Sequence, residues 1–175
     1  MASYETRPTQ DLAAGRAVLE ADLPLALEVN RAACLEDLGW RREGLRKLLV
    51  PFTGRQGEQT ETFLLRLDFR AARDWPPSAQ FVNPHTLTYN GPADQHHLPQ
   101  LRSPEVHVHP QYPTPVLPQP IQLICCSATY EYYDVLHGGD AAVLWRNTDN
   151  FLITLNAIGR AMAQHYHGRF PAHVG

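Results

Sequence analysis

The chain has 175 residues, 43% hydrophobic and 19% charged, which is enough for one domain with a buried core. A net charge of −3 with a pI near 6.3 gives no electrostatic case for nucleic-acid binding. No apolar run approaches the roughly 18 residues that a membrane span needs.

Three cysteines, an odd and small number, argue against a disulfide framework and for a reducing compartment. The opening MASYETRPTQD lacks the basic-then-apolar layout of a secretory signal, so a cytoplasmic location is expected. Basic residues are almost all arginine. Lys47 is the only lysine, so any self-modification on lysine has one target.

Residues 1–10 read as a frayed tail and 11–38 as helix in two pieces. Asp22-Leu23-Pro24 is a good helix start, a capping Asp followed by Pro in the first turn. Leu27, Cys34, Leu35 and Leu38 then recur at helical spacing, which gives Cys34 a reading as a small core residue. Gly39 ends the helix.

LRKLLVPF (45–52) and TETFLLRLDF (60–69) read as strands joined by the turn-rich TGRQGEQ. In the second, Phe63, Leu65, Leu67 and Phe69 form one apolar face, as a half-covered antiparallel strand requires. AQFVNP (79–84) is a third short strand, and three strands with short connections suggest a meander. Residues 84–120 carry proline at a density that blocks helix and interior strand, so a long loop is expected there. It ends in the extended IQLICC (121–126). A helix over 148–167, capped by Thr148 or Asp149, buries Phe151, Leu155, Ile158 and Met162. This order predicts an α+β domain, with helices packed on one face of an antiparallel sheet.

Three segments carry a family resemblance. FLLRLDFRAARDWPPSAQFVNP has a strand, a Trp75-Pro76-Pro77 turn and a strand with Phe81 and Pro84. His109-Pro110-Gln111 precedes the paired cysteines. Leu123-Ile124-Cys125-Cys126 is followed by Trp145 and an amphipathic helix. In these features, over roughly residues 24–167, the chain resembles the ubiquitin-conjugating (UBC-like) enzymes, and in particular their divergent bacterial relatives, which typically belong to ubiquitin-like conjugation or anti-phage operons. It departs from the family pattern in a longer His-Pro to Cys interval, a longer Cys to Trp interval, Gln111 in place of asparagine, and the lack of the usual last two helices.

The resemblance implies a UBC-like fold with a long catalytic loop. It also implies a transferase that carries a ubiquitin-like protein as a cysteine thioester, with an activating enzyme and a protein acceptor as partners and no resident cofactor. Cys125 occupies the nucleophile's position. His109 is then a brace for the loop before it, with direct proton transfer as a lesser role, and Gln111 is a candidate oxyanion donor.

The residues themselves leave alternatives open. Alternation puts Ile121, Leu123 and Cys125 on one side of a strand and Gln122, Ile124 and Cys126 on the other, so either thiol, or neither, is the reactive one. Tyr130, Tyr132, Tyr133 and Asp134 either line the acceptor side or anchor a solvated loop. His107 and His109 with Cys125 or Cys126 supply part of a tetrahedral zinc set. A catalytically silent UBC-like binding module is a further reading.

Overall fold

Asp11 starts the first helix, α1 (Leu12–Val29), its carboxylate accepting the Ala14 N–H at 2.9 Å. The structure is a computed structural model describing residues 6–137 and 144–173. The expected second helix start at Asp22-Leu23-Pro24 lies inside this continuous helix. Asp22 is buried and ion-paired with Arg73, so its carboxylate serves a tertiary contact instead of a cap, and Pro24 sits on the exposed side.

The buried stripe is Gly15, Leu19, Asp22 and Ala26, at spacings of four, three and four. Asn30 closes the helix by donating its side-chain amide to Ala26 O at 2.7 Å. Cys34 therefore falls beyond the helix and is exposed, not a core residue. A single 3₁₀ turn, Glu36–Leu38, ends at Gly39, whose φ of 66° is the left-handed geometry glycine supplies.

Four strands follow in an antiparallel meander of order β1-β2-β3-β4: β1 (Arg41–Glu43), β2 (Lys47–Gln56), β3 (Gln59–Asp68) and β4 (Ser78–Val82). The expected long turn between β2 and β3 shrinks to Gly57-Glu58, because Gln56 pairs with Gln59 and Gly57 takes a φ of 61°. Phe63, Leu65, Leu67 and Phe69 are all buried, as their alternation predicts. They share the main core with Leu19 and Ala26 of α1 and with Phe151, Leu155, Ile158 and Met162 around the last helix, α3 (Leu152–Gln164). The domain is thus α+β, with an N-terminal helix, an antiparallel sheet and a C-terminal helix.

The proline-rich stretch is more ordered than expected. It holds a 3₁₀ segment (Gly91–His97), β5 (Pro99–Leu101) and β6 (His107–Tyr112). β6 pairs with β7 (Ile121–Cys125), and β5 pairs with a strand not foreseen in the sequence, β8 (Tyr166–Arg169). Both are two-stranded ribbons, and their free edges tolerate the missing N–H of a proline. Pro99 opens its strand, and Pro110 sits at a register irregularity between His109 and Tyr112.

The α3 cap also differs. Asn150 accepts the Leu152 N–H at 2.9 Å, while Asp149 accepts the Arg146 N–H at 2.7 Å one turn earlier. Residues 1–5 of the expected tail lie outside the described residues. Arg7 and Pro8 are tied down, Arg7 to the Asp134 carboxylate at 2.7 Å and Pro8 O to the Tyr130 hydroxyl at 3.3 Å. No helix among the described residues is long and apolar enough to cross a membrane.

The free edge of β4 is closed by side chains instead of by a fifth strand. Phe81 N–H donates to Gln122 Oε1 at 2.7 Å, and Gln122 Nε2 donates back to Phe81 O at 2.8 Å. Glu131, on the short helix α2 (Tyr130–Asp134), accepts the Ala79 N–H at 3.1 Å and the Ser78 hydroxyl. These bonds fix the β6–β7 ribbon and α2 against the sheet.

Burial holds the Glu131 carboxyl above the usual carboxylate range, opposed by Arg70 and by the bonds from Ser78 and Ala79. A carboxyl raised in this way binds its proton more tightly folded than unfolded. Its contribution to stability is full below the unfolded value of about 4.3 and is lost as pH rises towards the folded value. Glu131→Gln cannot ionise. The difference in melting temperature between this variant and the wild type is therefore expected to move in the variant's favour from about pH 4 to about pH 8. Thermal melts across that range check it, and a difference independent of pH would contradict it.

Candidate functional site

The register of the β6–β7 ribbon decides which cysteine meets which neighbours. His107 opposes Cys125, Val108 opposes Ile124, and His109 opposes Leu123. Opposed residues share a face, so His107, His109, Leu123 and Cys125 lie on one side. Val108 and Ile124 lie on the other, and they join the main core together with Cys126.

Cys126 is 1% exposed, and burial pushes its thiol up to about 11. That is an inert thiol at neutral pH. Cys125 sits in a second, smaller cluster with Leu123, Tyr132, Tyr133 and Val135, edged by Trp75, Tyr112 and Ile121. It is 7% exposed.

The contact that sets Cys125 apart lies outside the motifs of the sequence. His137 Nε2 lies 3.4 Å from Cys125 Sγ. The chain turns back through Ser127, Thr129 and α2 to bring it there. Thr129 Oγ1 donates to both Ile124 O and Cys126 O, and Tyr133 OH donates to Ser127 O at 2.8 Å.

The His137 ring stacks on Tyr132, with centroids 4.8 Å apart and planes at 32°, and meets Tyr112 at 5.8 Å. Tyr112 in turn meets His109 at 5.5 Å, and His109 meets His107 at 6.2 Å. Cys125 is thus approached by a row of rings from β6 and α2. Burial, with the His107 and His137 imidazoles beside it, holds His109 below the usual histidine range, so it is largely neutral at pH 7. His137 Nδ1 is buried and has no hydrogen-bond partner among the described residues.

The structure groups Cys125 with His107, His109, Tyr112 and His137. It places Gln111 on a separate groove of about 430 Å³ that is also lined by Gln80, Asn90, Gln119 and Gln122. Tyr130, Tyr132 and Tyr133 are buried in α2 and its surroundings, so the solvated-loop reading of this segment is overturned. Asp134 is taken by Arg7. Trp145 is buried, its indole N–H donating to Arg73 O at 2.9 Å. Among the described residues no group of three His, Cys, Asp or Glu side chains is arranged to hold a metal ion, and His107, His109, Cys125 and Cys126 form no such group.

No protein-family model, curated protein or solved structure matches the chain. A thiol at the end of a strand, facing an imidazole, has the parts for nucleophilic attack on an activated carbonyl. His137 left no legible signal in the sequence. No fixed Cys-to-His spacing defines such a pair, and the two lie twelve positions apart, across a turn and a short helix.

Proposed function

We propose that this chain is a conjugating enzyme of the UBC-like kind, which carries a ubiquitin-like protein as a thioester on Cys125 and passes it to a protein acceptor. The observation that carries this reading is the opposite fate of the adjacent cysteines. Cys126 is locked in the main core, while Cys125 faces away from it and meets His137 at 3.4 Å. The order of elements also supports it: helix, four-stranded meander, a His-Pro strand paired with the cysteine strand, then a helix. The thiolate attacks the thioester carbonyl on an activating enzyme, and an amine of the acceptor later attacks the Cys125 thioester. His109 braces the strand beside the nucleophile. Gln111, the amide donor that the resemblance implies, lies on the separate groove and is not among the residues grouped with Cys125.

Incubation with the activating enzyme, ATP and the ubiquitin-like protein, resolved on a non-reducing gel, tests the reading. A thiol-sensitive adduct is expected in the wild type and in Cys126→Ala, and complete loss is expected in Cys125→Ala. No adduct in the wild type, with the activating enzyme itself charged, would overturn it. One observation favours a second reading, a silent binding module of the same kind: Cys125 is only 7% exposed. In that case the ubiquitin-like protein binds without forming a thioester.

A further inference from the structure

We infer that His137 is the proton acceptor for the Cys125 thiol, so that this chain ionises its own nucleophile. The role of the resulting thiolate in conjugation rests on the function proposed above; the proton transfer does not. The contact is made by Nε2 at 3.4 Å from Sγ, within reach of an S–H···N hydrogen bond. The ring packs on Tyr132 at 4.8 Å and on Tyr112 at 5.8 Å, with Nε2 towards the sulfur. For Nε2 to accept, Nδ1 carries the ring's proton; Nδ1 is buried and has no partner among the described residues.

Among the described residues, the ionisable groups packed around the pair are the imidazoles of His107 and His109 and the phenol of Tyr112 on β6, and the phenols of Tyr132 and Tyr133 on α2. None of these groups is a carboxylate. In the enclosed cluster, an imidazolium beside the thiolate offsets the cost of burying that charge.

The step is balanced within the transfer. Cys125 S–H gives its proton to His137 Nε2, and the thiolate attacks the thioester carbonyl carbon. A new C–S bond forms at Cys125 as the C–S bond to the activating enzyme's cysteine breaks. The imidazolium returns the proton to that departing thiolate. In the second half, an acceptor amine attacks the same carbonyl carbon and gives up a proton to Nε2. The C–N bond replaces the C–S bond, and Cys125 leaves to be reprotonated.

Alkylation with iodoacetamide, followed cysteine by cysteine by mass spectrometry across a pH series, tests this without any partner protein. Cys34, exposed and remote from this cluster, is the reference thiol in the same molecule. In the wild type the Cys125 labelling midpoint is expected below the free-thiol value of about 8.5. In His137→Gln and His137→Asn it is expected to rise to that value or above, with labelling at neutral pH slowed by roughly 10-fold or more while Cys34 is unchanged. The midpoint reports ionisation rather than access, so a merely structural role for His137 leaves it in place.

An unchanged midpoint in both variants, each shown by its melt to be folded, would overturn the inference. The charging assay on the same proteins keeps the two ideas apart. Wild-type charging with a midpoint unchanged in the variants sinks the role of His137 and keeps the conjugating function, whereas a midpoint shifted in the variants with no charging of the wild type does the reverse.

Discussion

Gly15→Ala is expected to destabilise the fold by about 2–4 kcal/mol, more than an ordinary surface change in a helix. A Cβ at this position would lie 2.6 Å from the Phe69 carbonyl carbon, closer still to its oxygen, and 3.1 Å from Arg70 N. These are backbone atoms at the end of β3, and they cannot swing aside as a side chain does. They are also held in place, since Arg70 O accepts the Asp11 N–H at 2.8 Å, next to the helix cap. Alanine's helix propensity returns about 1 kcal/mol, which is too little to offset displacing α1 from the sheet.

In a chain of this length the change is expected to lower the melting temperature by roughly 4–15 °C. Gly159→Ala in α3 is the matched control. Its Cβ would meet Phe52 at 3.6 Å, an ordinary contact, so that variant is expected to be neutral or more stable by up to about 1 kcal/mol. Equal melting temperatures for the two variants would contradict the close approach of α1 to β3.

Gln122→Leu is expected to cost about 2–5 kcal/mol, the sum of two buried backbone groups left without partners. Phe81 N–H and Phe81 O lie on the free edge of β4, and the Gln122 amide answers both, at 2.7 and 2.8 Å. Leucine fills a similar volume and answers neither. Water does not replace the amide without opening the seam between β4 and β7, because Gln122 is 1% exposed and Phe81 fully buried.

The effect reaches the site, because Gln122 and Cys125 share β7. Alkylation of Cys126, which is silent while the main core is closed, is expected to rise in the variant. Urea unfolding measures the first effect and mass spectrometry the second. A loss under about 1 kcal/mol would mean that these two bonds do not set the position of the ribbon.

Much of the framework was legible from alternation alone. Phe63, Leu65, Leu67 and Phe69 had to share one face of a strand, and Phe151, Leu155, Ile158 and Met162 one face of a helix, wherever those elements packed. Terminal details were less legible. Asp22-Leu23-Pro24 has the residues of a helix start, but local capping yields to an ion pair with Arg73 that no neighbouring residue announces. The prolines of 84–120 disfavour interior strand, yet two-stranded ribbons have free edges that accept them.

The candidate site divides in the same way. The sequence by itself determined the adjacency of Cys125 and Cys126 and, once that segment is extended, their opposite faces, because side chains alternate along any strand. It also set the His-x-His pair, His107 and His109, on one side of a strand. Which face holds the reactive thiol was a tertiary matter. Packing Ile124 and Val108 against the sheet drew Cys126 into the core, where burial suppresses ionisation, and left Cys125 to the smaller cluster. Gln122 and Glu131 fasten the ribbon and α2, which lead to Cys125 and His137, to the edge of β4. Those long-range hydrogen bonds, between residues about forty to fifty positions apart, have no local periodicity to betray them.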